Sequence, residues 1–282
     1  MDSPLAIRHR LDTPFLIPEF EYESHGMEDP RIVKINDLYY LSYIAFNGTN
    51  ALGALATSSD LKHFKKHGII VPQISYEDFD LIINDKPGLN EKYLRYNRGT
   101  GELIADKDVV FFPRKINGKI TFLHRIKPDI QLVAVNNLDE LTNEYWDNYI
   151  RHLEENIILT PKYPHEVSYL GAGCPPIETE HGWLLIYHGV KDAIKGYEYS
   201  ACAALFELDN PGKETARLPY PLFKPELDYE LKGDVDDVCF PTGTVIEGDK
   251  LYIYYGAADE LIACASVSLS ELLEDLLKNL TN

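Results

Sequence analysis

The chain is short of positive charge, of tryptophan and methionine, and of long apolar runs. Its 27 lysine and arginine residues face 45 aspartate and glutamate residues, a formal net charge of −18. Nucleic acids and anionic membranes are bound through basic surface, so neither is an expected partner. No stretch approaches the ~18 apolar residues of a membrane span. Met1 to Glu19 lacks the basic start and apolar run of a secretory signal, and a cytoplasmic protein is expected. The four cysteines, Cys174, Cys202, Cys239 and Cys264, form no CxxC pair. Neither a zinc nor a redox motif is therefore indicated, and buried thiols are expected. No linker rich in Gly, Pro or Ser divides the 282 residues, so a single domain over residues 1–282 is expected.

What is present is tyrosine, 19 copies of it, and a repeat. Tyrosine favours strands and lines polar ligand sites. One pattern of short strand, tight turn, aromatic strand, loop and small-residue strand recurs four times. The copies run over 31–61, 109–141, 175–210 and 242–272. Their turns fall at Asn36-Asp37, Asn117-Gly118, His181-Gly182 and Gly248-Asp249, residues that tolerate the positive φ of tight hairpins. A fourth strand fits the segment after a copy, around Ile69 and Leu159. Four antiparallel strands repeated radially describe an all-β propeller. Helix is expected only at the end, over Ser270 to Leu280, with a helical turn at Asn90 to Arg95. The segment Gln73 to Gly99 lacks either period and reads as a large loop.

In a propeller, polar residues at the ends of the innermost strands converge on the mouth of the central channel. Those positions hold Glu28, Asp29, Arg31, Asp106, Asp108, Arg125, His188, Asp236, Asp237 and Asp259. A ring of carboxylates with two arginines and a histidine suits a polyol ligand, because sugar hydroxyls pair well with carboxylates.

The runs 26–45, 106–126, 171–190 and 233–259, with EDPRI, DKDVVFFPRKINGK, GAGCPP and YHGV within them, resemble glycoside hydrolase family 130. The resemblance implies a five-bladed propeller acting on β-mannosides. It implies inverting phosphorolysis to α-mannose 1-phosphate, with inorganic phosphate as co-substrate and neither metal nor cofactor. It places the general acid at Asp108, with Asp106 as fallback. Arg125, His188, Arg31 and Tyr169 fall at phosphate-binding positions. Asp29, Glu28, Asp259, Asp237 and Tyr255 fall at sugar-binding positions.

Two departures from the family matter. Tyr169 stands where phosphorylases of the family carry a lysine just before the GAG segment, and tyrosine brings a donor but no charge. That admits an inverting β-mannosidase as an alternative, with Glu166, beside His165, as base toward water. A non-catalytic carbohydrate-binding propeller is the third reading. The run before Asp29 is also short, so the first blade is expected to be reduced or incomplete. Its open edge offers a contact for a homo-oligomer. Acceptor choice is expected to rest on the loops Gln73–Gly99 and Lys191–Tyr199, with Tyr76, Tyr93 and Tyr96 as candidate sugar platforms.

Overall fold

The hairpin turns close as their residues require. Asn36, Asn117, Gly118 and Gly248 hold left-handed backbone at φ 54°, 50°, 79° and 62°. The computed structural model describes residues 3–86, 88–96, 102–194 and 196–281. It is mostly sheet with few helices, arranged as four antiparallel units. The first comprises β1 (Gly26–Ile35), β2 (Leu38–Phe46), β3 (Ala51–Ser58) and β4 (Lys65–Ile69). After α1 (Tyr76–Asn84) and α2 (Leu89–Tyr96) come β5 (Asp106–Phe111), β6 (Ile120–Ile126) and β7 (Ile130–Val135), then α3 (Asn143–Arg151) and β8 (Ile157–Leu159). The third unit holds β9 (Tyr169–Ala172), β10 (Ile177–Thr179), β11 (Gly182–Ala193), β12 (Gly196–Phe206) and β13 (Glu214–Arg217). A short α4 (Asp228–Leu231) precedes β14 (Cys239–Glu247), β15 (Lys250–Ala257), β16 (Leu261–Ser268) and α5 (Leu269–Leu277). The expected fourth strands are β4 and β8.

Strand alternation explains the cores. Phe111 and Phe122 join Leu52 and Leu55 of the first unit, while Val110 and Leu123 join Leu185 and Tyr187 of the third. On the other face of β11, Leu184 and Ile186 meet Leu251, Ile253 and Leu276. The second and third units are thus buried on both faces, which is why their strands read as nearly continuous apolar runs. The units lie side by side at their first strands, β5 beside β1 and β9, and β14 beside β1.

A buried Glu–Tyr pair recurs in three units. Glu23 accepts from the Glu19 and Phe20 amides and, at 3.0 Å, from the Tyr43 hydroxyl. Glu166 accepts from the Lys162 and Tyr163 amides, from the Tyr187 hydroxyl and from Arg217 at 3.2 Å. Glu230 accepts from the Glu226 and Leu227 amides and, at 2.5 Å, from the Tyr255 hydroxyl. Each glutamate ties the turn before a unit to the unit's aromatic strand. Burial alone would raise Glu23 and Glu230, but the donors around them hold both below the ordinary glutamate value. A depressed carboxylate stabilises the fold above its unfolded-state value and loses that contribution as pH falls through the lower native one. Thermal melts should therefore weaken on acidification below the ordinary glutamate range, and Glu230→Gln should flatten that dependence.

Several sequence expectations need correction. The supposed loop Gln73–Gly99 contains α1 and α2. Ser75 caps α1 through the Asp78 amide, and Phe79 and Ile83, four apart, face the core. Residues 97–99 and the Tyr96 side chain lie outside the described residues. Tyr93 is no sugar platform: it is buried, its hydroxyl 2.6 Å from Asp129 Oδ2. Tyr76 packs on the same core. The helix α3, capped by Thr142 and burying Trp146, Tyr149 and Ile150, carried a periodicity that went unread. The terminal helix is capped by Ser268, not Ser270. The loop Lys191–Tyr199 is the end of the β11–β12 hairpin, with Lys195 outside the described residues. Residues 3–20 form no strand. Among the described residues no helix is long and apolar enough to cross a membrane.

Candidate active site

The mouth is built from bulges. Pairing of β1 with β2 skips between Glu28 and Arg31, and pairing of β5 with β6 skips between Lys107 and Val110. Asp29 and Asp108 sit inside these equivalent bulges with left-handed backbone, φ 50° and 55°. Asp237 and Asp259 are also left-handed, at φ 62° and 55°. Aspartate tolerates this region better than most residues. A bulge re-aims a side chain away from the strand's alternation. Backbone of this kind is held only where its surroundings over-determine it, which is common at functional sites.

Asp29 and Asp108 open into a cavity of about 420 Å³. Glu28, Asp29, Asp234 and Asp259 supply carboxylates to it, Lys107 and Arg125 supply cations, and Tyr199 and Phe240 supply aromatic faces. Lys107 Nζ stands 3.6 Å from Glu28 Oε2. Burial raises the Asp259 carboxyl, and Asp29, then Glu28 and Asp234, add to the rise against Lys107. One side of the cavity is therefore a crowded set of carboxylates, one of which is biased toward holding a proton.

The surroundings of Arg125 and Asp108 form a second, buried and cationic wall. Arg125 Nη1 lies 2.9 Å from Asp108 Oδ2 and 3.4 Å from His188 Nε2, and His188 Nε2 lies 3.6 Å from that same oxygen. His188 stacks on Phe240 at 4.5 Å between centroids, and the Arg31 guanidinium lies over that ring at 5.1 Å. Arg31 Nε and Nη1 donate to the Gly173 and Asp29 carbonyls at 2.6 and 2.7 Å. Burial, Arg125, Arg31 and Lys127 together push His188 well below its ordinary value, so its imidazole is neutral. Burial opposes the charge of Arg125, but Asp108 and, as a weaker influence, Asp29 hold it above the usual arginine value. Among the described residues, Arg31 Nη2, Arg125 Nε and His188 Nδ1 are buried nitrogens without hydrogen-bond partners. Three unsatisfied nitrogens on one wall are costly unless a ligand meets them.

Gly171 permits this wall. A Cβ there would fall 2.2 Å from both Asp108 Oδ2 and His188 Nε2. The first glycine of the GAG segment is thus the space in which that carboxylate and that imidazole come together.

The structure brings together Glu28, Asp29, Arg31, Asp108, Arg125, His188 and Asp259. It does not bring Asp106 to the cavity. Asp106 is fully buried and bound to His124 Nδ1 at 2.8 Å, with His124 Nε2 on Tyr149. Tyr255 is also withdrawn, spent on Glu230. From the loop before β14 it is Asp234 rather than Asp237 that lines the cavity; the Asp237 carbonyl accepts from the Tyr199 amide. Tyr169 is buried, its hydroxyl paired with that of Tyr199, and it offers its ring face to Arg125 at 5.2 Å. Glu166 is committed to Arg217, Tyr187 and two amides, which removes it as a base toward water. His165, Glu166 and Cys202 come within 4.8 Å of one another at their ligand atoms, but the Glu166 charge is already met by Arg217. Lys107, Lys127, Tyr199, Asp234 and Phe240 were missed. The spacing from Arg125 to Lys127, two residues along one strand direction, was the available signal.

A family model described as beta-1,4-mannooligosaccharide phosphorylase, glycoside hydrolase family 130, matches residues 3–279. A 1,2-beta-oligomannan phosphorylase of Thermoanaerobacter sp. is 34% identical over 268 residues, covering 93% of this chain and 75% of the relative. A beta-1,2-mannobiose phosphorylase of Listeria innocua is 33% identical, covering 94% of this chain and 64% of the relative. The solved structure of a Listeria innocua beta-1,2-mannobiose phosphorylase with beta-1,2-mannobiose superposes with a TM-score of 0.72 at 29% identity, over 95% of this chain and 65% of that one. The chain thus spans between about two thirds and three quarters of the length of these relatives.

Proposed function

We propose, because this chain belongs to glycoside hydrolase family 130, that its cavity carries out inverting phosphorolysis of short β-mannosides. The observation that carries the reading is the division of the cavity into a carboxylate side and a buried cationic wall with unsatisfied nitrogens. The first suits sugar hydroxyls and a proton donor. The second suits phosphate, whose oxygens match the planar fork of arginine. The relatives named for β-1,2-linked substrates support a β-1,2-mannoside as the substrate. The shared cores and the contact of β14 with β1 support a propeller of four formed units whose first blade is reduced, residues 3–20 forming no strand. Four thiols without disulfides suit a reducing compartment and support a cytoplasmic enzyme.

In this reading a phosphate oxygen forms a bond to mannosyl C1 as the bond from C1 to the departing sugar oxygen breaks. That oxygen takes a proton from the enzyme, and the β-linkage becomes an α-phosphate. Phosphate is the nucleophile, so one enzyme carboxyl suffices, whereas inverting hydrolysis needs a second to activate water. Asp108 is ill placed as the donor, because the same oxygen is engaged by Arg125 at 2.9 Å and faces His188 at 3.6 Å. Asp29 is the better candidate. It is close enough to Arg125 and to Asp259 to be felt by both, and so stands between the phosphate wall and the sugar side. Asp108 then orients Arg125.

Turnover of β-1,2-mannobiose should require inorganic phosphate and rise to saturation with it. Equal turnover after phosphate removal would replace this reading with the hydrolase.

A further inference from the structure

We propose that Lys127 is a phosphate-binding residue of this chain, placing over the ring of Tyr169 the point charge that the tyrosine cannot carry. The inference rests on the phosphorolysis reading and names a residue it did not assign. Lys127 follows β6 by one residue and Arg125 by two, so strand alternation sends both toward the same side. Its ammonium lies 3.8 Å from the Tyr169 ring centroid and 6.0 Å from that of Tyr197. The Arg125 guanidinium lies over the same Tyr169 ring, at 5.2 Å. The Tyr169 ring thus meets two cations through cation–π attraction. The Tyr169 hydroxyl is turned aside to Tyr199, so Tyr169 works here as a platform.

Lys127 adds a third cation to the neighbourhood of Arg31 and Arg125, since His188 feels all three. The charged and titratable groups around Lys127 include Arg125 at the end of β6, Lys107 and Asp108 on β5, Tyr169 on β9, His188 on β11, and Tyr197 and Tyr199 on β12. Burial lowers Lys127 to about 7, with Arg125 and Lys107 adding to the fall and Asp108 opposing it. A phosphate dianion beside it favours the protonated amine, so phosphate binding should draw a proton onto Lys127. Above neutral pH the free enzyme loses that charge and its hold on phosphate weakens.

The test compares wild type, Lys127→Met and Lys127→Arg in phosphorolysis of β-1,2-mannobiose, with folding checked by circular dichroism. Lys127→Met should raise KM for inorganic phosphate by about ten- to a hundred-fold while moving KM for the mannoside less than three-fold. Lys127→Arg should keep much of the phosphate affinity and lose the decline of kcat/KM for phosphate above neutral pH, because arginine does not titrate there. A phosphate KM in Lys127→Met within two-fold of wild type would overturn the proposal, as would a decline that persists in Lys127→Arg. Phosphate-independent wild type would overturn the phosphorolysis reading itself, a separate outcome seen before any variant is made.

Discussion

Gly171→Ala should reduce kcat/KM for phosphate by at least about 10²-fold, the scale set by displacing reacting groups by an ångström. The added methyl would sit 2.2 Å from Asp108 Oδ2 and from His188 Nε2. Neither can retreat easily. His188 is fully buried against Phe240 and Asp108 is fixed in a left-handed bulge. Overpacking of this kind also costs about 1–3 kcal/mol of stability, so activity should be read on protein shown to be folded by circular dichroism. Steady-state kinetics with phosphate varied would check it. Activity within three-fold of wild type would mean that the approach of Asp108 and His188 has no part in turnover.

The second large effect belongs to Asp29. Asp29→Asn should lower kcat on β-1,2-mannobiose by about 10³-fold, within the range of general acid catalysis. With p-nitrophenyl β-mannoside the loss should shrink to about ten-fold or less, because that leaving group departs without a proton. Asp108→Asn should act differently. It removes the partner of Arg125, so its loss should be similar for both leaving groups and should fall largely on KM for phosphate. If Asp108→Asn shows the leaving-group dependence and Asp29→Asn does not, the acid is Asp108, as the family resemblance first implied.

The two assignments differ because of what a sequence displays. Asp29 and Asp108 were both legible as polar residues at the entrance of a strand. That Asp108 leans on Arg125 and His188, and Asp29 does not, depends on side-chain directions set by the bulges. The hairpin turns were legible because Asn and Gly at positive φ leave a local mark. The helix α1 was not seen, although Ser75, Phe79 and Ile83 supply a cap and a face. Its pattern is only two turns long and lies among tyrosines and acidic residues that also suit a loop.

The glutamates Glu23, Glu166 and Glu230 show the opposite failure. Each precedes a unit at a comparable place, a recurrence visible in the sequence once sought. Read singly, Glu166 looked like a base and Tyr255 like a sugar contact. Read across the repeat, Glu166 is one of three carboxylates that accept from two amides and a tyrosine. The second unit marks the exception, with His124 at the tyrosine's place and Asp106 as its partner. Lys127 was hidden for another reason. It lies one residue beyond β6 and reaches Tyr169 only through the packing of β6 against β9, which the chain order does not display.

The most direct measurement is the phosphorus NMR spectrum of the enzyme with β-1,2-mannobiose and inorganic phosphate, followed from the first turnovers. The reading predicts a growing signal of α-mannose 1-phosphate, with one free mannose released for each phosphate consumed. Free mannose appearing with no sugar phosphate, at a rate indifferent to phosphate, would contradict it.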